Sequence, residues 1–145
     1  MADSIRKLIL MDIETAVKTA SSLNTVVPGR PEHLNFPRPI AGVFPASEDT
    51  DLEPDTSEVH TLDFIVRVLV DEDDQHALYE LEDILRDVEI AVKTDPSRGG
   101  RAAHTAKTGV KYLYVDAELP RAGADLHFTC RYQTEEGDPT EQNFI

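Results

Sequence analysis

The sequence predicts an α+β domain, with a mostly antiparallel sheet of about four strands packed against two main helices, in a single domain over residues 1–145. Three observations predict it. Apolar residues recur three and four apart in two separate segments, residues 4–22 and 78–92. Between them Leu62, Phe64, Val66, Val68 and Val70 alternate strictly. Two further apolar runs, residues 110–117 and 126–134, follow the second periodic segment and are separated by turn chemistry. A chain of 145 residues holds one core and is short for two.

In the first periodic segment Ile5, Leu8, Ile9, Ile13, Ala16, Val17 and Ala20 share a face, with Asp3 or Ser4 placed to cap the helix. Five prolines then fall between Val27 and Pro45, so this stretch is expected to be extended and irregular around one short strand near residues 40–44. Residues 47–58, SEDTDLEPDTSE, read as a flexible acidic loop. The alternating strand follows. Ile65 and Leu69 make its second face partly apolar, so it is expected to be central or covered on both sides.

The second helix carries Leu78, Leu81, Leu85, Val88 and Val92, with an acidic start and Lys93 at its end to match the helix dipole. Leu119, Pro120, Arg121, Ala122 and Gly123 read as the hairpin loop joining the last two strands. Leu126, Phe128, Cys130 and Tyr132 share one face of the final strand, so Cys130 reads as an inert core residue. Residues 135–145 read as a loose C-terminal tail.

Twenty-eight acids against fourteen bases give a formal charge of −14, which repels duplex DNA and anionic membranes. One cysteine excludes an internal disulfide and a thiolate metal cage, as expected for a reducing compartment such as the cytoplasm. The apolar patch of residues 8–11 is too short for a signal peptide or a membrane span.

The five histidines and Cys130 show no zinc spacing and no nucleophile-base pattern, so no enzyme, metal or cofactor is expected. Asp71, Glu72, Asp73 and Asp74 lack the glycine and distal glutamate of an EF-hand loop. They could hold a hard cation, but read as a solvated, dipole-matched helix start. Gly99 and Gly100 follow a helix and lack the lysine of a phosphate-binding loop. Arg98, Gly99, Gly100 and Arg101 form a turn whose glycines let the chain leave the helix and whose arginines could bind an anion or the acidic face of a neighbouring protein. The other reading is a charged surface turn.

The order of these elements, with Asp95-Pro96-Ser97-Arg98-Gly99-Gly100 after the second helix and Tyr132-Gln133-Thr134 ending the last strand, resembles the tail terminator proteins of long-tailed bacteriophages, also called minor tail or tail completion proteins. The resemblance runs from Ser4 to Asp138. It implies a structural virion protein of the tail, assembled in the host cytoplasm. Such a protein forms a homo-hexameric ring on the end of the tail tube, ends tube polymerisation and offers the surface for head-tail joining. The implied partners are further copies of itself, the tail tube protein and the head-tail connector or neck protein, with DNA only as passing cargo; in such a ring Arg98, Gly99, Gly100 and Arg101 would be the candidate subunit or tube interface, and Asp71, Glu72, Asp73 and Asp74, with Glu80, Glu82 and Asp83, the candidate acidic channel or rim. The alternative within the same interaction class is a head-side neck or head completion adaptor. The length of residues 47–58 departs from the pattern.

Overall fold

The computed structural model describes residues 3–20, 22–31, 39–71, 77–115 and 121–142. Helix α1 (Ile5–Val17) starts where the Ser4 hydroxyl accepts the Lys7 amide at 3.1 Å, which satisfies one of the orphan donors of the first turn. It buries Ile5, Ile9, Ile13 and Val17, one residue per turn on a single stripe. The expected helix reached Ser22, whereas the observed one is capped at Lys18.

Six strands follow with one more helix: β1 (Thr25–Pro28), β2 (Ile40–Leu52), β3 (Ser57–Asp71), α2 (Ala77–Lys93), β4 (His104–Val115), β5 (Arg121–Glu135) and β6 (Asp138–Gln142). The sheet runs β1-β2-β3-β5-β4, and β6 pairs with the far end of β5. The α+β class stands, with a six-stranded mixed sheet in place of about four strands. The mixture comes from β1, which lies parallel to β2 with Thr25 opposite Ile40. Its prolines and short apolar run gave little signal of a strand.

Helix α2 crosses from β3 to β4, and β5 returns between those two strands, antiparallel to both. Every even-numbered residue of β3 from Leu62 to Val70 therefore faces the helices. These residues form one core with Ala124, Leu126, Phe128, Cys130 and Tyr132 of β5, with Leu81, Ile84, Leu85, Val88 and Val92 of α2, and with the α1 stripe. Phe64 and Phe128 stack at 5.3 Å between ring centroids, as their facing register demands.

The opposite face is also largely covered at one end, as the apolar Ile65 and Leu69 indicate. Ile40, Phe44, Ile65 and Leu69 are buried there. Arg67 grips Asp125 across the strands through Nε–Oδ1 at 2.7 Å and Nη2–Oδ2 at 2.9 Å. The Phe44 ring lies near both the Arg67 and Arg30 guanidinium groups, at 5.3 and 5.6 Å.

Two expectations are corrected by strand pairing. Residues 47–58 are a β-hairpin and not a loop, because β2 continues to Leu52 and β3 begins at Ser57, paired from Ser47↔Asp63 to Leu52↔Glu58. Apart from Leu52 and Pro54 the stretch is polar, with six acids, so no apolar alternation showed its strands. Residues 138–142 are strand β6 and not part of a loose tail, with Gln142 opposite Thr134. Arg121 and Gly123, expected in the hairpin loop, already belong to β5, while Leu119 and Pro120 lie outside the described residues.

Candidate functional site

The turn after α2 is a stapled structure. Thr94 closes the last helical turn onto the Ile90 carbonyl, and the Asp95 carboxylate then gathers the loop. It accepts the Ser97 hydroxyl at 2.6 Å, the Ser97 amide at 3.1 Å and the Gly99 amide at 2.8 Å. These donors, the Ser97 hydroxyl foremost, hold its pKa below the usual aspartate value. Ser97 passes the pattern on by accepting the Gly100 amide at 3.1 Å. Three successive residues, Arg98, Gly99 and Gly100, sit in the left-handed region with φ of 51°, 71° and 83°. The chain reverses so tightly that the Ala102 amide returns to the Ser97 carbonyl.

That reversal sends Arg98 inward, where a surface arginine was expected. Its side chain is fully buried and donates through Nη2 to the Val92 and Asp95 carbonyl oxygens, while Nη1 lies 3.4 Å from the Asp12 carboxylate of α1. The guanidinium therefore caps the C-terminal end of α2, where carbonyls lack intrahelical partners and the dipole favours a cation. It also ties that end to α1. Arg101 is the arginine of the pair that stays at the surface, half-buried, with Nη1 on the Arg98 carbonyl at 3.5 Å. The Gly100 carbonyl accepts the Gln142 side chain, which pins β6 against the turn.

The β2–β3 hairpin carries a polar cluster that the sequence reading did not single out. His60 lies between two threonine hydroxyls, with Nδ1 2.9 Å from Thr50 and Nε2 2.8 Å from Thr134, and its ring stacks on Tyr132 at 4.6 Å. The Glu48 carboxylate receives the Tyr132 hydroxyl and Arg6 of α1, the latter at 2.7 Å. Burial first, and the Glu48 contact second, push the Tyr132 hydroxyl pKa upward. The signal was the continuation of period-2 alternation from Leu62 back through His60 and Glu58, and from Cys130 on to Thr134. Arg6 with Glu48 anchors the hairpin base to the helix layer.

Of the acidic candidates, Asp71 is the last residue of β3, while Glu72, Asp73 and Asp74 lie outside the described residues. On α2, Glu82 accepts the Tyr112 hydroxyl and Asp83 lies 3.4 Å from Arg86, so both have partners within the subunit. Among the described residues no three His, Cys, Asp or Glu side chains converge as a metal would require. No described helix is long and apolar enough to cross a membrane. Cys130 lies in the core, and burial pushes its thiol pKa up to about 12.

No protein-family model and no curated protein matches the chain. Among solved structures, its fold resembles that of a chain in the virion of a native gene transfer agent particle, at a TM-score of 0.53 and 21% sequence identity. The likeness covers 88% of this chain and 90% of that one. At this identity it is a likeness of fold.

Proposed function

We propose that the chain is a structural virion protein of the tail-terminator kind, a subunit of a homo-hexameric ring that caps the tail tube, ends its polymerisation and presents the surface for head-tail joining. The observation that carries this reading is the fold likeness to a virion chain over nearly the whole of both proteins. The order of elements and the Asp95–Gly100 turn support it. The charge of −14 on each copy fits a ring through which DNA slides as cargo, since repelled phosphates keep their counterions and gain nothing by sticking. Glu80 and the acids of residues 71–74 are the candidates to rim that opening.

The experiment is a mixture with polymerising tail tube protein, followed by electron microscopy and native mass spectrometry. Capped tubes of fixed length carrying six copies are the expected result. Tubes that grow unchecked, with the protein bound instead to a head-side connector, would identify it as a neck adaptor. Duplex DNA titrated at about 50 mM salt, where attraction is least screened, should show no binding. Micromolar binding that falls steeply with salt would replace the passive channel with a DNA-gripping connector.

A further inference from the structure

Among the described residues the sheet ends in β1 and the uncovered part of β2 on one side and in β4 and the short β6 on the other, and the long edges of β2 and β4 carry opposite charge. On one side β1 covers β2 only from Ile40 to Val43, so the outer edge of β2 is bare from Phe44 to Leu52. That edge belongs to the hairpin whose residues 47–58 include six acids and no base. On the other side β4 pairs inward with β5 and shows a bare outer edge. Strand β4 holds Lys107 and Lys111 and no acid in a chain with twice as many acids as bases; Lys107 lies against Glu89 of α2, and Lys111 is exposed.

We infer that the acidic edge of β2 in one copy lies along the basic edge of β4 in the next, continuing the sheet from subunit to subunit. The cross-strand rows carry the inference. Gly42, Arg67, Asp125 and Lys111 form one row, and Asp49, Thr61, Arg131 and His104 form another on the same face. Asp49 and Asp51 on the acidic edge and Lys111 on the basic edge thus share that face. The Lys111 row and the Asp49 row stand apart by the β3 positions from Thr61 to Arg67, about 20 Å, so joining the edges with that offset along the strands brings opposite charges together without turning a sheet over. The exposed apolar side chains Leu52 on the hairpin, and Val110 and Tyr112 on β4, lie along the same two edges.

Charge also selects against the wrong pairings. Strands in a sheet lie about 4.8 Å apart, inside the screening length of about 8 Å at physiological salt. Pairing β2 with β2, or β4 with β4, would set like charges directly opposite each other, which destabilises a sheet. Register breaks at Pro45/Ser47 and at Lys107/Gly109 confine regular pairing to the segments beyond them. A contact that uses one edge of each kind is head-to-tail. It closes into a ring when the rotation per copy permits, and only a ring removes both open edges from every copy.

The inference rests on the proposed function for its occupant, a second copy, and adds the surfaces by which copies meet. The test uses the full chain as an equimolar mixture of unlabelled and nitrogen-15-labelled protein at a concentration where sedimentation velocity shows association. A zero-length carbodiimide cross-linker joins carboxylates to lysines. The expected products are mixed-isotope peptides linking Asp49, Asp51 or Glu53 to Lys111. Assemblies whose mixed-isotope links never join these segments would overturn the edge contact while leaving the ring standing. A protein that is monomeric at every concentration, even with tube present, would remove both.

Charge exchange gives a second reading. Asp49→Lys with Asp51→Lys, or Lys111→Glu alone, should each weaken self-association about tenfold, as expected when a few exposed attractions become repulsions. All three changes together should restore it. Three-site variants that fold by circular dichroism and stay as weak as the single-edge variants would sink the inference.

Discussion

Arg98→Met isolates the inward guanidinium, because methionine keeps a long apolar stem and removes only the charged fork. The wild-type side chain is fully buried and donates to two carbonyl oxygens at the end of α2, each such charge-assisted bond being worth about 1.5–3 kcal/mol. Two terms reduce the loss. Nε and Nη1 are buried without a hydrogen-bond acceptor among the described residues, so removing them relieves a desolvation penalty. Asp12 keeps a side-chain exposure of 30%, so water can replace its lost partner and the full penalty of an orphaned buried charge does not arise.

The net destabilisation expected for Arg98→Met is therefore about 2–4 kcal/mol, against a domain stability of about 5–15 kcal/mol. Urea unfolding followed by circular dichroism should show a lower midpoint with an unchanged slope. Arg98→Glu sets a carboxylate against two carbonyl oxygens and Asp12, and should fail to fold at ambient temperature. Arg101→Met, at the surface of the same turn, should stay within about 0.5 kcal/mol of wild type. An Arg98→Met protein as stable as wild type, beside a destabilised Arg101→Met, would refute the capping role.

Other perturbations read other parts of the fold. A β-carbon at Gly42 would strike the Gly29 carbonyl oxygen and come within 2.5 Å of Pro31 Cδ, and a backbone atom has little room to yield, so Gly42→Ala should cost about 1–3 kcal/mol in the same urea assay. The folded Asp95 carboxyl titrates below its ordinary value of 3.8, so the stability it contributes is present above that value and is lost as pH falls through the folded pKa. Asp95→Asn should accordingly be less stable than wild type at pH 7, and the difference should shrink below about pH 4. An undiminished gap in acid would mean that the carboxylate is not what holds the turn. Cys130 should resist a thiol reagent at pH 8 in the native state and react at once in denaturant; rapid native labelling would contradict its burial.

What was legible in the sequence followed from how much each segment buries. The α2 stripe and the even-numbered residues from Leu62 to Val70 face the same apolar core, so their periodicity is clean although Ile65 and Leu69 are also buried on the other face of β3, and their elements lie where it predicted. The hairpin of residues 47–58 was misread because its strands have no helix over most of their length. Their side chains are acids and threonines, and no apolar period marks them. Strand β6 was missed for the same reason, being held by backbone pairing to β5 and by the Gln142 bond to Gly100.

The Asp-Pro-Ser-Arg-Gly-Gly stretch was legible as a turn and illegible as an anchor. A composition argument sees two arginines flanking two glycines and assigns them alike. Yet the φ of 51° at Arg98 aims one at the orphan carbonyls of α2, and the fold then leaves Arg101 outside. Direction of the side chain, set by three consecutive left-handed residues, separates a structural arginine from one available to a partner. For assembly this moves attention from the arginine pair to the edges. Of the four bases in residues 96–115, Arg98 is consumed inside the subunit and Lys107 lies against Glu89 of α2. Lys111 and Arg101 remain at the surface, and of the two Lys111 lies on a strand edge that no described strand covers, facing the same way as Asp49 and Asp51.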